Sequence, residues 1–176
     1  MFYRFLVSFF LLFNVLFSTE VYFSNEHDVI QKLTTLIDQE ESKIEMVMYT
    51  LTHTRIVRAL VDAKKRGVDV IVMIDPFTAK ISKPKLEMLK KGNVDIYVFD
   101  PKTIDKPTWY HLEPLCHHKF FTFKSLHTVW TGSFNATYGA SVANLENVVV
   151  LDSKKVFTQF STYFKKILSK HTRSYP

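Results

Sequence analysis

Three apolar runs constrain the fold of this chain more than any other feature. KIEMVMYTL (residues 43–51), VDVIVMID (68–75) and VDIYVF (94–99) are almost continuously hydrophobic. A strand turns alternate side chains to opposite faces, so a run without polar alternation needs cover on both sides. The segments between the runs read as helices. Ser24 or Asn25 is placed to cap a first helix reaching about Glu41, with Val29, Ile30, Leu33, Leu36 and Ile37 on one face. Thr54 is placed to cap a second, which buries Ile56, Leu60 and Val61 and stops at Lys64-Lys65-Arg66-Gly67. Cations in a last turn and a glycine after it are stop signals. Pro76 ends the second run, and a weaker helix covers 84–91. With Val21 to Phe23 as a short first strand, the order is β-α-β-α-β-α-β. Right-handed crossovers then predict an α/β fold: a mixed, mostly parallel sheet sandwiched between helices.

After Phe99 the rhythm breaks. Residues 100–114 form a polar, proline-bearing stretch of the length expected for a functional surface loop. Two short strands follow, then a strand at 146–152 and a last helix at 154–170 that packs Val156, Phe160, Phe164 and Ile167 inward.

At the N-terminus, Arg4 precedes an apolar run from Phe5 to Phe17. That run is shorter than the roughly 20 residues a bilayer-spanning helix requires. Residues 1–19 therefore read as a signal peptide, which makes the protein exported (periplasmic or secreted), or as a retained anchor holding it at a membrane. Cys116 is the one cysteine, so the chain has no internal disulfide and no cysteine-based zinc site. Four dispersed glycines exclude a P-loop or dinucleotide fingerprint. A net charge of +6 favours polyanions, whether nucleic acid or anionic lipid headgroups.

The chemistry concentrates in HHKFFTFKSLHTVWTGSFN (117–135). In an extended segment His117 and Lys119 share a face while His118 points to the other. Ser133 and Asn135 have the same two-residue spacing. Together the four offer a nucleophile or base, a cation and two neutral hydrogen-bonding groups, a set suited to a tetrahedral anion such as phosphate. Trp109 and Tyr110, just upstream, are suited to stacking on bases, to dipping into a lipid interface or to anchoring their loop. Lys64 to Arg66, with Lys83, Lys85, Lys90 and Lys91, are candidates for basic surfaces around a cleft.

The His-x-Lys of HHK, the Gly-Ser-x-Asn of TGSFN and the NLENVVV that follows resemble the signature of the phospholipase D superfamily. The resemblance is to its single-motif branch of small bacterial endonucleases and mitochondrial cardiolipin hydrolases. It extends to VYFS, YTLTH, ALVDAKKRGVDVIVMID and LEPLCHHKF, so that residues 20–176 read as one phosphodiesterase domain. It implies that His117 is the nucleophile that forms a phosphohistidine. Lys119 and Asn135 would be phosphate ligands, with Ser133 beside them. Glu146 would orient the histidine by accepting a hydrogen bond from Nδ1–H, which aims the Nε2 lone pair at phosphorus. One position departs from the pattern: the family's aspartate after the His-x-Lys is Lys124 here. By strand parity Lys124 faces away from His117 and Lys119.

In-line displacement at phosphorus needs a nucleophile on one side and a proton donor for the leaving oxygen on the other. One motif per chain supplies one histidine. A two-fold homodimer, which the resemblance also implies, supplies the second. The expected function is a metal-independent phosphodiesterase without cofactors, an endonuclease on DNA or RNA. The alternatives are a phospholipase D or cardiolipin hydrolase acting on anionic phospholipid, and a weakly active polyanion-binding module.

Overall fold

A computed structural model describes residues 18–109 and 111–176. The N-terminal apolar run and Tyr110 lie outside the described residues, and so do the expectations placed on them. In chain order the elements are β1 (Thr19–Phe23), α1 (Val29–Gln39), β2 (Lys43–Met48), α2 (Thr54–Lys65), β3 (Asp69–Ile74), α3 (Pro76–Ile81), α4 (Lys83–Lys91) and β4 (Asp95–Phe99). After the long loop come β5 (Lys119–Phe123), β6 (Thr128–Gly132), α5 (Tyr138–Val142), β7 (Asn147–Asp152), α6 (Lys154–His171) and β8 (Thr172–Ser174).

The eight strands form one sheet in the order β1-β7-β6-β5-β2-β3-β4-β8. The expected α/β sandwich is present, but the sheet is not mostly parallel. Only β2–β3 and β3–β4 pair in parallel; the other pairings are antiparallel. The reason lies in the connections. Each parallel step needs a helical crossover, and α2 and α4 provide two. Beyond β4 the long loop returns the chain to the middle of the sheet, where β5 enters antiparallel to β2. The short link from Phe123 to Thr128 then forces a hairpin.

Side-chain parity divides the core between the two faces. Met46, Met48, Phe121, Phe123 and Trp130 pack under α1, α2 and α4. Val47, Met73 and Phe120 turn the other way, against Phe164 and Ile167 of α6. Every residue of β2 from Ile44 to Met48 is buried, as its unbroken hydrophobicity demands. Among the described residues no helix is long and apolar enough to cross a membrane.

Several element ends differ from expectation. Asp28, not Ser24 or Asn25, caps α1, accepting from Gln31 N–H at 2.8 Å. Ser24 is engaged elsewhere: its N–H donates to Glu146 O and its hydroxyl to Asn144 O. Thr54 is the first residue of α2, and no side chain caps that helix. Pro76 stops β3 by opening α3, whose cap is Asp75. β1 starts at Thr19, and Ser18 O already accepts from Asp152 N–H, so the sheet reaches into the 1–19 segment.

Candidate active site

The quoted motif gathers at one edge of the sheet. β2 and β3 end there, β6 runs out there at Gly132, and the antiparallel β5 and β7 begin there. Open α/β sheets place ligands outside the carboxyl ends of their parallel strands. Met48 pairs with Lys119, and Gly132 with Val148. His117, Lys119, Ser133, Asn135 and Glu146 thus sit at or just beyond the ends of three neighbouring strands, β5, β6 and β7, and meet at one rim.

Tyr49, the residue after β2, forms the floor. Its ring centroid lies 4.7 Å from that of His117 and 5.3 Å from Lys119 Nζ, and it stacks on Phe77 at 5.8 Å. A cation over an aromatic face is held electrostatically as well as by packing. Lys119 Nζ also donates to the carbonyl of His117 at 2.7 Å, which ties the two motif residues together. Burial lowers the Lys119 ammonium below its ordinary value, against an opposing pull from the nearby Glu146 carboxylate. An incoming phosphate would meet an ammonium already partly stripped of water, where its charge acts through a low dielectric.

On the next strand, Gly132 is required by a close approach. A Cβ there would sit 2.1 Å from the carbonyl oxygen of Asn147. That proximity lets Ser133 and Asn147 exchange backbone and hydroxyl bonds: Ser133 N–H donates to Asn147 O at 3.0 Å, and Asn147 N–H to Ser133 Oγ at 3.1 Å. The Ser133 hydroxyl donates to Glu146 Oε2 in a short bond, and Asn144 Nδ2 donates to Oε1 at 3.1 Å. Asn135 Oδ1 accepts from Thr50 N–H at 3.3 Å, which leaves its amide NH2 group for a ligand. The expected Glu146–His117 hydrogen bond is not formed within the chain. Both Glu146 oxygens are taken by Ser133 and Asn144, and neither ring nitrogen of His117 has a partner among the described residues.

His118 turns to the opposite face, as parity requires. Its Nε2 lies 2.9 Å from the hydroxyl of Tyr163 on α6. Loss of water around the ring, with repulsion from Lys119 and His117, holds it below the ordinary histidine value. Lys124 lies on that face too, at the far end of β5, in a small cleft with Lys43, Thr122, Lys165 and the buried Glu45. Glu45 Oε2 accepts from Thr122 Oγ1 at 2.8 Å, while Oε1 has only Lys43 Nζ at 3.8 Å. Where the family places an acid, this chain has a cation, and an acid sits on the adjoining strand.

Three contributors escaped the sequence reading. Asp75 is 2% exposed; one oxygen caps α3 at Phe77 N–H and the other accepts from Cys116 N–H at 2.9 Å. The loop reaching His117 is thereby pinned to the end of β3. Thr78 donates to Tyr49 O at 2.7 Å and accepts from Leu51 N–H at 3.2 Å, which fixes the floor residue. Glu40, fully buried, gathers N–H groups of Ser42, Lys43, Ser125 and Leu126, and so locks the β5–β6 turn to the start of β2. The one local signal was an acidic residue just before Pro76. Cys116 is buried, and burial pushes its thiol up to about 12, so it is no nucleophile.

The basic clusters divide. Lys64, Lys65 and Arg66 stand at the opposite edge of the sheet, where they pair with Asp69, Asp95, Asp62 and Asp38. Lys90 and Lys91 end α4 at that same edge. Lys83 and Lys85 start α4 on the motif's side. Trp109 is 73% exposed on the loop before the motif. Among the described residues no three His, Cys, Asp or Glu side chains are grouped as metal ligands.

The family described as "Cardiolipin synthase, PLD-like domain" matches residues 33–168. A protein named phospholipase D from Rickettsia conorii is 30% identical over 120 residues, 68% of this chain and 54% of the relative. One of the same name from Rickettsia bellii is 29% identical over 138 residues, 78% of this chain and 61% of the relative. The chain thus spans little more than half the length of these relatives. Among solved structures, Nuc from Salmonella typhimurium, a phospholipase D family member, superposes with a TM-score of 0.77 at 29% identity, over 91% of this chain and 99% of Nuc. NucT from Helicobacter pylori reaches 0.79 at 18% identity, over 89% and 98%, and shares the fold. With the matched span running through both motifs and most of the sheet, this chain belongs to the phospholipase D superfamily.

Proposed function

We propose that the chain is an exported phosphodiesterase whose active site is completed by a two-fold partner and whose substrate is nucleic acid. The observation that carries this reading is the meeting of His117, Lys119, Ser133, Asn135 and Glu146 at one solvent-facing rim, with the His117 ring unpartnered beside a desolvated ammonium. Neutral His117 Nε2 attacks phosphorus and forms a P–N bond. The P–O bond to the leaving group breaks, and the leaving oxygen takes a proton from the partner subunit's His117. That imidazole, now neutral, takes a proton from water as the water attacks the phosphohistidine; the P–N bond breaks and His117 is released. Lys119 and Asn135 from both chains hold the anionic oxygens throughout. The two histidines start in opposite protonation states, so activity is bell-shaped in pH. No step calls on a metal.

The choice of nucleic acid rests on the net charge of +6, on Lys83 and Lys85 at the motif's edge and on the resemblance to the small bacterial endonucleases. A second reading, hydrolysis of phospholipid, is favoured by Trp109, Leu112 and Leu115, exposed on the loop that leads into His117. Assays on single-stranded DNA, RNA and cardiolipin vesicles separate the two; cleavage of vesicles alone would reject the nuclease. For the mechanism, a slow diester substrate, quenched and digested, should leave a phosphoryl adduct on the His117 peptide. His117→Asn should abolish both adduct and turnover but keep polyanion binding. Turnover that survives in that variant would reject the mechanism.

A further inference from the structure

Beside the motif lies a cavity of about 750 Å³, within the roughly 300–1,000 Å³ range of small-ligand clefts. The chemistry proposed above does not use it. Its walls continue the segments that hold Asn135. Thr50 N–H donates to Asn135 Oδ1, and Thr52 and His53 N–H both donate to Ala136 O at 2.9 Å. His53 and Tyr138 each stand three residues beyond that contact, at most about 10 Å of chain. The cavity is therefore within the reach of a group attached to a phosphate at Asn135.

Its lining is selective. Tyr138 offers a ring that is 69% exposed, nearly parallel to the His53 imidazole at 21° with centroids 6.3 Å apart. Arg55, Thr52 and Ser141 add a guanidinium and two hydroxyls, and Val142 an apolar edge. His53 is 92% buried and lines the cavity; its Nδ1 is buried without a hydrogen-bond partner, and its Nε2 has no partner among the described residues. Burial, with Arg55 and Lys85 nearby, holds this histidine below its ordinary value, which favours the neutral ring. A bond at one ring nitrogen normally fixes the tautomer at the other. Here nothing does, so Nε2 is free to donate or to accept. An aromatic platform, a planar cation and a hydrogen-bonding group of either sense suit a flat heterocycle that varies in its donor pattern. An acyl chain would leave all three without partners.

We infer that this cavity is a nucleobase subsite, which takes one unstacked base next to the scissile phosphate of a single-stranded substrate. The inference rests on the nuclease reading and adds the element that binds a substrate's base. It explains why a buried histidine and an exposed tyrosine flank the motif without belonging to it.

The test compares two substrates: bis(p-nitrophenyl) phosphate, which has no base, and single-stranded oligonucleotides carrying one abasic position moved stepwise along the strand. Tyr138→Ala, at an exposed position, preserves the fold, and His53→Gln serves as a second variant. Both should hydrolyse the small diester at the wild-type rate. On the intact oligonucleotide both should raise KM by about 5- to 150-fold at unchanged kcat, the span expected when a stacking side chain is truncated. In the wild type, one abasic position at a fixed distance from the cut should cause the same loss, and the variants should show no further loss there. Equal KM for wild type and both variants, or an abasic penalty that persists in Tyr138→Ala, would overturn the subsite and leave the nuclease standing. Hydrolysis of the small diester with no cleavage of any oligonucleotide would overturn the nuclease reading, and the subsite with it.

Discussion

Asp75 pins the backbone next to the candidate nucleophile without belonging to the motif. Its two oxygens join the cap of α3 to the backbone of Cys116, one residue before His117. In Asp75→Asn one acceptor becomes an amide that faces an N–H donor. Losing a buried charged acceptor costs about 1–3 kcal/mol. The expected result is a denaturant midpoint lowered accordingly and kcat reduced about tenfold by misplacement of His117, with KM little changed. Unaltered kcat in the folded variant would show that the Cys116 bond does not position the histidine. The motif residues themselves were readable because each pair, His117 with Lys119 and Ser133 with Asn135, is two residues apart in one short stretch of sequence at the end of a strand. The roles of Asp75 and Glu40 were not, since the bonds that tie them to the motif's segments, to Cys116 and Ser125, span 41 and 85 residues. Glu146 was found through the motif, yet its hydrogen bonds go to Ser133 and Asn144 and not to the imidazole.

The β5–β6 hairpin carries both halves of the motif, and its far turn is held by one acid. Glu40 is withdrawn from water, which raises its pKa, but backbone bonds from Ser125, Lys43 and Ser42 outweigh this and hold it below its ordinary 4.5. A depressed carboxylate contributes stability above its unfolded value and loses it as pH falls through the folded value. Glu40→Gln should be about 2–3 kcal/mol less stable at pH 7. Its deficit should shrink as pH drops below 4.5, where the wild type loses the same bonds by protonation. Parallel stability curves from pH 7 to pH 3, measured by denaturant titration, would contradict this role. Among the elements, β2, β3, β4, α2 and α6 were visible because hydrophobic period is local. α3 was hidden behind Pro76, read as a strand stop. α5 and β8, five and three residues long, carry too little pattern of their own. Strand direction was misjudged because the pairing of β5 with β2 is a property of distant segments.

The motif of one chain holds a single imidazole of the required kind, that of His117, and among the described residues neither of its ring nitrogens has a hydrogen-bond partner. On the proposed reading, the Tyr49 ring beside it, the buried Lys119 and the free amide NH2 of Asn135 would be one half of a phosphodiester site. The account therefore stands or falls on cooperation between two copies. The deciding measurement is nuclease activity in mixtures of wild type and His117→Asn, co-refolded at fixed total concentration. If each site needs two imidazoles, activity falls as the square of the wild-type fraction. A fall in simple proportion would mean that each chain works alone, and would contradict the account.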